Sequence, residues 1–457
     1  MIVTLEEVIK ATGGRLLAAG PSAPFTDVAT DTRALKPGSL YVPLRGARFD
    51  GHDFLQEAVR SGAAGLLVAR DDVTPPRNVS AVRVEDTLAA YGDLARHWRG
   101  HLGLQVIAVT GSSGKTSTKE LIAALLARFI RVAKSHANYN NEIGVPKTLL
   151  SMTPSDEACV LEMGMRGPGE IAYLASVARP DIGVITNVGT AHIGRLGTQE
   201  AIAKAKGELL RVGGPSMTAV LNADDPYVMA QGLEHLGQVV TYSRLSPRAT
   251  VWAEGEGRTF TIAWAAGERQ PAGETRISLP WAGPHHQSNA LAAVAVAWGL
   301  GIRLPEAITL APDELPGRAR VVTAGDLTIV DETYNANPES VLATIAGFCA
   351  EPSPGRRLVV LGEMAELGAY AEAGHRSVGT ALRDAPVDRV FTVGEMTRWI
   401  AEQAPAKSEW FADQEALKAA LIAELRPGDR VLVKGSRSAR MEEVVAALEA
   451  RYGETPA

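Results

Sequence analysis

The sequence predicts an α/β fold with three domains, because its length, composition and hydrophobic pattern agree. A chain of 457 residues is long enough for roughly three domains of about 150 residues each. Hydrophobic residues make up 46% of the chain and charged residues 21%, a globular composition that allows sizeable cores. Apolar runs of strand length alternate with helical patterns, which is typical of parallel sheets covered by helices on both faces.

Composition also excludes several classes of protein. No uncharged apolar run approaches the ~18 residues that cross a bilayer, and Glu6 and Glu7 stand where a signal peptide has its apolar core. The two cysteines, Cys159 and Cys349, lie far apart in apolar stretches, which fits neither a disulfide framework nor a thiolate metal site. The net charge of −6 is spread along the chain, whereas nucleic-acid binding needs a basic patch. We therefore expect a cytoplasmic protein with no membrane span and no nucleic-acid partner.

Residues 1–84 are predicted to form a small mixed α/β domain. Thr4 and Glu7 have the spacing of a capping box at the start of a helix. Three short strands and a second helix are expected after it, the strands at 40–44, 65–68 and 81–84 and the helix at 54–61.

Residues 85–310 are predicted to form a central domain with a parallel sheet. Apolar strands are expected at 105–110, 158–163, 182–187 and 218–222. Helices are expected between them at 117–129, 169–178 and 199–210. Residues 240–282 are rich in Thr, Trp and Gly, which indicates an antiparallel insert before a long Ala-rich helix from Asn289.

Residues 311–457 are predicted to form a Rossmann-like third domain. Two prolines and a glycine in 311–317 indicate a hinge at its start. The strand–helix alternation then resumes, with strands expected at 327–331, 358–361, 390–393 and 431–433.

A glycine-rich turn between a strand and a helix predicts a nucleotide site. Such a turn aims backbone N–H groups and a helix N-terminus at phosphates. We expect the lysine of this turn to reach the β- and γ-phosphates and the threonine to ligate Mg²⁺. The alternative is an ordinary strand–helix turn, since the spacing is two residues shorter than the general phosphate loop; the flanking strand and helix favour nucleotide binding. The turn consists of Gly111, Ser112, Ser113, Gly114, Lys115, Thr116 and Ser117.

Two further polar residues follow predicted strands. Glu162 comes where one strand becomes loop, and His192 lies just past another. Ligands of open α/β sheets bind beyond the carboxyl ends of strands, so both side chains are candidates for a cation site. A solvated strand end and a loop histidine are the alternatives.

Lys206 is predicted to be buried. At about 100° per residue, it shares the apolar face of a helix capped by Thr198 with Ile202 and Leu209, whereas Lys204 lies on the opposite face. Burial disfavours the charged form of a lysine, which predicts a reactive neutral amine. The alternative is a lysine that snorkels from the apolar edge.

Several motifs together resemble the Mur ligases, ATP-dependent amide-forming enzymes of peptidoglycan synthesis, over nearly the whole chain. In the first two thirds these are Gly111-Ser-Ser-Gly-Lys-Thr-Ser117, Asn138-Tyr-Asn-Asn-Glu-Ile-Gly-Val-Pro146, Glu162, Asn187 to His192 and Ala203-Lys-Ala-Lys206-Gly-Glu208. Three later motifs are similar to the last ligase of the series: Asp331-Glu-Thr-Tyr-Asn-Ala-Asn-Pro338, Leu361-Gly-Glu-Met-Ala-Glu-Leu-Gly368 and Val433-Lys-Gly-Ser-Arg-Ser-Ala-Arg-Met-Glu442.

The resemblance implies a role for each domain. The first domain should bind the UDP end of a sugar nucleotide through Thr32, Arg33, Arg45, Gly46, Asp50 and His52. The central domain should bind ATP and two Mg²⁺ ions, one at Thr116 and Glu162, the other at His192 and a carbamylated Lys206; Lys115 completes the catalytic set. Asn140 and Asn141 are implied substrate contacts. Nucleotide contacts are implied for Asn289, Arg318 and Glu332, and dipeptide contacts for Asn335, Asn337, Lys434, Ser436 and Arg437.

Two positions depart from the family pattern. His286 stands where the family has an asparagine of the adenine-side motif, and Glu332 stands where it has a ribose-binding aspartate. These departures affect the expected preference for ATP over other nucleotides.

The implied activity joins D-alanyl-D-alanine to UDP-N-acetylmuramoyl-tripeptide through an acyl phosphate, in an enzyme that acts as a monomer. A folylpolyglutamate synthase is an alternative that gives no reason for a sugar-nucleotide domain. A phosphate-loop switch without ligation is a second alternative, which would hydrolyse ATP slowly without the other substrates.

Overall fold

The α/β fold class is observed in a computed structural model, which describes residues 2–46, 48–136 and 138–453. The chain divides into two compact units. Unit 1 comprises residues 1–108, 130–183 and 211–217, and unit 2 comprises 109–129, 184–210 and 218–457. The predicted boundaries at 84 and 310 do not follow this division, so the three domains stay a prediction.

The strands belong to three sheets. They are β1 (Arg15–Ala18), β2 (Asp27–Ala29), β3 (Ser39–Tyr41), β4 (Gly65–Val68), β5 (Ser80–Arg83), β6 (Gln105–Thr110), β7 (Val132–Lys134), β8 (Ala158–Glu162), β9 (Ile182–Ile185), β10 (Thr218–Asn222), β11 (Val239–Ser243), β12 (Val251–Glu254), β13 (Thr259–Trp264), β14 (Gly273–Ser278), β15 (Ala307–Thr309), β16 (Arg320–Ala324), β17 (Leu327–Glu332), β18 (Arg357–Leu361), β19 (Arg389–Val393), β20 (Ser408–Phe411) and β21 (Arg430–Lys434).

The helices alternate with these strands. They are α1 (Leu5–Thr12), α2 (Leu55–Arg60), α3 (Thr87–Arg99), α4 (Lys115–Leu126), α5 (Gly144–Ser151), α6 (Glu170–Ala178), α7 (Ile193–Leu196), α8 (Gln199–Lys206), α9 (Glu208–Gly213), α10 (Pro226–Gly232), α11 (Pro284–Gly299), α12 (Pro338–Ala350), α13 (Ala371–Asp384), α14 (Arg398–Gln403), α15 (Gln414–Glu424) and α16 (Glu442–Tyr452). Within the described ranges, none of them is both long and apolar enough to span a membrane.

Unit 1 contains a five-stranded sheet in the order β1-β5-β4-β3-β2. Its strands pair in parallel except for β1, which runs antiparallel to β5. The predicted capping box of α1 is present, because the Glu7 N–H donates to Thr4 Oγ1 and the Thr4 N–H donates to the Glu7 carboxylate. Strands β7 and β8, which pair in parallel, also lie in unit 1. Strands β6 and β9 are divided between the two units, because the divisions fall after Ala108 and after Gly183.

Unit 2 contains a run of strands in the order β15-β14-β13-β12-β11-β10. The predicted antiparallel insert is right for β12, β13 and β14, but wrong for β11, which pairs in parallel with both β10 and β12. The long helix α11 begins at Pro284 rather than Asn289. Gly283 before it has a non-helical backbone conformation, and proline suits the first turn of a helix. Helix α11 packs against α4, which positions the phosphate loop.

The second sheet of unit 2 has the order β16-β17-β21-β18-β19-β20. All its pairs are parallel except β16 with β17, and helices connect the parallel strands, as the Rossmann-like prediction requires. Apolar residues of strands and helices, such as Ile329, Leu358 and Val431, form its core. The loops after β17, β18 and β21 carry the motifs identified in the sequence.

Candidate active site

Two glycines give the phosphate loop its shape. Gly111 has φ +153° and Gly114 has φ +74°, conformations that residues with a side chain rarely adopt. A Cβ at Gly111 would lie 1.9 Å from Thr186 Oγ1, and one at Gly114 would lie 2.9 Å from Asn289 Oδ1. The loop therefore depends on glycine for its backbone conformation and for its close approach to neighbouring chain.

Alanine at position 111 is therefore expected to weaken nucleotide binding about tenfold or more, since backbone strain of 1–3 kcal/mol corresponds to that range. Calorimetric titration with ADP measures the affinity. Gly103→Ala is the control, because a Cβ there would meet open space. An unchanged ADP affinity in Gly111→Ala would contradict a nucleotide site at this loop.

Residues after β9 hold the loop in place. The Ser113 N–H donates to Asn187 Oδ1 at 2.9 Å, and the Ser112 N–H donates to the Asn187 carbonyl at 3.0 Å. The Thr186 hydroxyl donates to the Ser113 carbonyl at 2.7 Å. The sequence prediction placed Asn187 in a motif but gave it no role; its amide fixes the loop.

Lys115 is the first residue of α4, and its ammonium donates to the Gly111 carbonyl at 2.8 Å. No side chain caps the start of this helix at Gly114. Its first N–H groups and the positive end of its dipole suit an anion. Thr116, the next residue in the sequence, is predicted to bind a cation and is almost fully buried.

Lys206 is buried, with 2% of its surface exposed, whereas Lys204 is exposed. Both parts of the burial prediction are confirmed. The prediction of one continuous helix over residues 199–210 is wrong, because α8 ends at Lys206 and α9 starts after Gly207. Burial lowers the pKa of Lys206 well below its ordinary value, and the positive charge of Lys115 lowers it further. The Lys206 amine therefore holds its proton less tightly than an exposed lysine does, and it lies close enough to Lys115 for the two charges to interact.

His192 contacts a residue that the sequence analysis missed. Its Nδ1 lies 2.6 Å from Oε2 of Glu366, which follows β18. Both residues have positive φ, +66° and +64°, so each is held in an uncommon backbone conformation. Burial lowers the pKa of His192, and the Glu366 carboxylate opposes this effect. The imidazole is thus oriented by a carboxylate, as metal-binding histidines commonly are.

Glu339 is a second carboxylate that the sequence analysis missed. Glu339, in the first turn of α12, accepts the Thr190 N–H at 2.8 Å and the Thr190 hydroxyl at 3.1 Å. Glu366 stands in a motif quoted above, but nothing in its local pattern marks it as a partner of His192. Such pairings depend on which loops the fold brings together.

Glu162 lies in unit 1, where Asn140 orients it. The carboxylate is 2% exposed, and Asn140 Nδ2 donates to its Oε1 at 2.7 Å. The Asn140 carbonyl also accepts the Gly164 N–H at 2.8 Å. Asn141 has another function, because its Oδ1 accepts the Gly144 N–H at the start of α5. Of the two implied substrate contacts, Asn140 therefore lies directly against a predicted cation ligand.

The residues predicted for the nucleotide base and ribose lie in unit 2. Asn289 Oδ1 accepts the Thr118 hydroxyl at 3.0 Å on α4. The His286 ring stacks on Trp281 with ring centres 4.9 Å apart. One cleft is lined by both His286 and Glu332, so the two departures from the family pattern face one space. Burial lowers the pKa of His286 well below its ordinary value.

The residues predicted for the dipeptide are only partly brought together. Lys434 Nζ lies 3.3 Å from Glu332 Oε2 and donates to the Asn335 carbonyl at 3.0 Å. Asn337 caps α12, with its Oδ1 accepting the Ser340 N–H, and its contact with the dipeptide stays a prediction.

Three further predicted contact residues, Arg318, Ser436 and Arg437, also lie in unit 2. The Arg318 guanidinium lies 3.7 Å from the centre of the Tyr334 ring. Ser436 is buried, and Arg437 pairs with Glu442 at 3.1 Å. Arg318 therefore lies next to the motif that follows β17.

The residues predicted for the sugar nucleotide form two groups in unit 1. In the first, Arg33 pairs with Asp31 at 2.6 Å, and its hydrogen bonds lower the pKa of Asp31 to about 2. Thr32 donates its hydroxyl to Glu57 at 2.8 Å. The Arg33 side chain is 86% exposed, so its guanidinium is accessible to a phosphate.

The second group lies around Asp50. Its Oδ2 pairs with Arg45 at 3.2 Å, and its Oδ1 lies 2.6 Å from His52 Nδ1. His52 Nε2 accepts the Ala69 N–H at 2.9 Å, so both ring nitrogens of His52 are engaged within the unit. The Gly46 N–H donates to the Phe49 carbonyl, which closes the loop that carries Arg45.

Comparison with known proteins assigns the family. Models of the Mur ligase middle domain, the Mur ligase glutamate ligase domain and the Mur ligase family catalytic domain match residues 109–297, 317–437 and 24–99. A relative from Synechocystis named UDP-N-acetylmuramoyl-tripeptide–D-alanyl-D-alanine ligase is 43% identical over 433 residues, covering 93% of this chain and 92% of the relative. The chain belongs to the Mur ligase family. The resemblance stated from the motifs is confirmed.

Solved structures of other proteins are similar in fold to this Mur ligase over nearly its full length. A crystal structure of MurF from Acinetobacter baumannii has a TM-score of 0.87 and 29% identity, covering 98% of this chain and 99% of its own. The MurF ligase from Thermotoga maritima in complex with ADP has a TM-score of 0.82 and 29% identity, covering 94% and 98%. The predicted α/β fold class is confirmed, while the roles of individual residues stay predictions.

Proposed function

We propose that this Mur ligase joins D-alanyl-D-alanine to the terminal carboxylate of UDP-N-acetylmuramoyl-tripeptide, converting ATP to ADP and phosphate and producing a pentapeptide precursor of peptidoglycan. The observation that carries the chemistry is the phosphate loop with the buried Lys206 close to Lys115. The substrates come from the name of the relative at 43% identity. The ADP complex of the Thermotoga maritima ligase supports the nucleotide.

The reaction needs an activated carboxylate. A carboxylate oxygen of the tripeptide attacks the γ-phosphorus, the bond from that phosphorus to the β–γ bridging oxygen breaks, and ADP leaves. Lys115 and the N-terminus of α4 reduce the cost of charge on the transferred phosphoryl group. The amine of D-alanyl-D-alanine then attacks the acyl carbon, and the tetrahedral intermediate releases phosphate while the nitrogen loses its proton.

Two Mg²⁺ positions are part of the proposal. Thr116 supplies a buried hydroxyl to one, and His192, oriented by Glu366, supplies an imidazole to the other. Glu162 stays a predicted ligand, supported by a buried carboxylate that Asn140 orients. These donors fit a cation, and bound Mg²⁺ would disperse negative charge on the phosphoryl oxygens.

A carbamate at Lys206 makes the second position suitable for a cation. A neutral lysine nitrogen attacks CO₂, an N–C bond forms, one proton is released, and the negative charge resides on the new carboxylate oxygens. An ammonium there would repel Mg²⁺, whereas a carbamate oxygen is a hard anionic ligand. The depressed pKa of Lys206 favours the neutral amine that this reaction needs.

Arg33→Ala or Arg45→Ala is expected to raise the KM for the UDP-sugar substrate about tenfold, because each removes a charged donor to a phosphate, while the KM for ATP changes little. Initial-rate kinetics with each substrate varied in turn measure both constants. Arg60→Ala, an exposed arginine at the end of α2, is the control. Equal increases in both KM values would argue against a separate sugar-nucleotide site.

Phosphate release with and without each substrate tests the proposed function. A ligase releases phosphate from ATP only when UDP-N-acetylmuramoyl-tripeptide and D-alanyl-D-alanine are both present. A switch hydrolyses ATP slowly without either, and a folylpolyglutamate synthase would not respond to UDP-linked substrates. Tripeptides ending in diaminopimelate, lysine or ornithine distinguish the third residue.

Location and assembly belong to the same proposal. We infer that the ligase works in the cytoplasm, since Cys159 and Cys349 are free thiols and cytoplasmic proteins keep their thiols reduced. We also expect it to act as a monomer. Light scattering coupled to size-exclusion chromatography should give a mass near 48.3 kDa.

A further inference from the structure

Three potential metal-binding atoms meet where helices α1 and α3 pack together in unit 1. Glu7 Oε1 lies 3.9 Å from His97 Nε2 and 3.8 Å from His101 Nε2. All three atoms lie within 4.8 Å of one another. None of these residues takes part in the ligase chemistry described above.

Glu7 is fixed in a way that leaves one oxygen for this cluster. Its Oε2 accepts the Thr4 N–H at 2.8 Å and the Thr4 hydroxyl at 2.9 Å. These hydrogen bonds are the largest cause of the lowered pKa of Glu7, so the group is an ionised carboxylate. Its Oε1 faces the two histidines, and the capping box prevents the side chain from turning away.

His101 presents a lone pair to the same point. Its Nδ1 lies 2.9 Å from the His97 carbonyl, and because a carbonyl only accepts, Nδ1 carries the proton. In the neutral ring Nε2 is then unprotonated, which is the arrangement of metal-binding histidines that donate their other N–H to a carbonyl. The His101 ring also stacks on Trp98, whose indole N–H donates to the Met152 carbonyl.

His97 contributes a polar atom that no hydrogen bond explains. Its Nε2 is buried and makes no hydrogen bond within the described residues, although buried polar atoms are usually paired. Burial is the largest cause of the lowered pKa of His97, and the nearby His101 and Lys10 lower it further against the opposing charge of Glu7. Burial thus favours the neutral imidazole, which is the form that binds metals.

We propose that Glu7, His97 and His101 bind one Zn²⁺ ion, with water as the fourth ligand. Ligand atoms at about 2.0–2.1 Å from a tetrahedral zinc lie about 3.3 Å apart. The two distances from Glu7 Oε1, 3.9 and 3.8 Å, need to shorten by about 0.5 Å, and the two histidine nitrogens, which lie within 4.8 Å of each other, must also move together. Two imidazoles and one carboxylate suit zinc and disfavour Mg²⁺ and Ca²⁺, which prefer oxygen. The partly exposed His101 leaves the position open to solvent.

Zinc at this position would cross-link two parts of the chain. Helix α1 begins four residues after the N-terminus, whereas His97 and His101 lie at and just past the last turn of α3. A metal bond between them would stabilise α1 against local opening, because a ligand that binds only the folded arrangement adds to its stability. The bound ion would therefore stabilise the packing of α1 on α3.

Calorimetric titration of the metal-free, full-length protein with zinc chloride tests the proposal. Millimolar Mg²⁺ is present throughout to occupy the cation positions of the ligase site. We expect one zinc per chain in the wild type and no such binding in the double variant His97→Gln/His101→Gln. In Glu7→Gln the affinity for zinc should fall about tenfold or more. Glu6→Gln, on the exposed side of α1, should bind as the wild type does.

Hydrogen exchange supplies a second readout. Zinc should slow exchange of the α1 amides in the wild type and in Glu6→Gln, and should leave it unchanged in the double variant. Matching melting temperatures of all variants without zinc establish that they fold. Equal zinc binding by wild type and double variant, or no binding by either, overturns the proposal; binding of Cu²⁺ or Ni²⁺ without Zn²⁺ overturns the choice of metal.

Discussion

Replacing Lys206 with alanine is expected to reduce ligation to background. The reason is geometric, because Lys206 is buried close to Lys115 and on this proposal becomes an anionic cation ligand. Lys206→Arg should be equally inactive, since a guanidinium keeps its positive charge and does not form this carbamate. Phosphate release with both substrates present measures the loss.

Lys204→Ala is the matched control. Lys204 lies two residues away on the same helix and is exposed, so its removal should leave activity near the wild-type level. Formate or acetate at high concentration should partly restore Lys206→Ala by supplying a carboxylate where the carbamate stood. Inactivity of Lys204→Ala would mean that disruption of α8, rather than a lost ligand, explains both variants.

The carbamate also makes activity depend on pH and CO₂. Burial and the charge of Lys115 lower the pKa of Lys206, so the neutral amine exists at a lower pH than in an exposed lysine. As the pH falls through this lowered pKa, the amine becomes protonated and the carbamate is lost. Activity should decline on acidification and in CO₂-free buffer, and should return when bicarbonate is added.

Carbon-13 NMR with labelled bicarbonate observes the modification directly. The wild type should give a carbamate signal that is absent from Lys206→Ala. An unmodified ammonium at position 206 in the active enzyme with ATP and Mg²⁺ bound would refute the carbamate, whatever the variants do.

Sequence reasoning succeeded where the information is local. The phosphate loop was found because its glycines, Lys115 and flanking apolar residues are consecutive, and the structure places them between β6 and α4. The burial of Lys206 followed from helical periodicity. That inference held even though α8 ends at Lys206, because Ile202 and Ala203 already define the buried face within α8.

Sequence reasoning failed where segments that are far apart in the sequence come together in the fold. Nothing near Glu366 in the sequence indicates that its loop lies against His192. Nor does the sequence show that Asn141 and Asn337, which are predicted substrate contacts, accept backbone N–H groups at the starts of α5 and α12. The same limit applies to Glu7, which lies against His97 and His101 only because α1 packs on α3. These pairings come from tertiary packing rather than from a pattern along one element.

Replacing Lys115 with alanine is expected to lower the ligation rate about 10²–10³-fold, the usual cost of losing one group that stabilises transition-state charge. The fold should persist, because the Lys115 ammonium contacts the carbonyls of Gly111 and Ser112, whereas the loop is held by Asn187 and Thr186. Initial rates at saturating substrates measure the change, and the melting temperature checks folding.

An exposed lysine outside the phosphate loop provides the control for this variant. Lys10→Ala, on α1, should turn over at the wild-type rate. The loss in Lys115→Ala should appear mainly in kcat, because a lysine that neutralises charge on the transferred phosphoryl group acts most strongly in the transition state. Near-wild-type turnover in a folded Lys115→Ala would exclude this loop as the site of phosphoryl transfer.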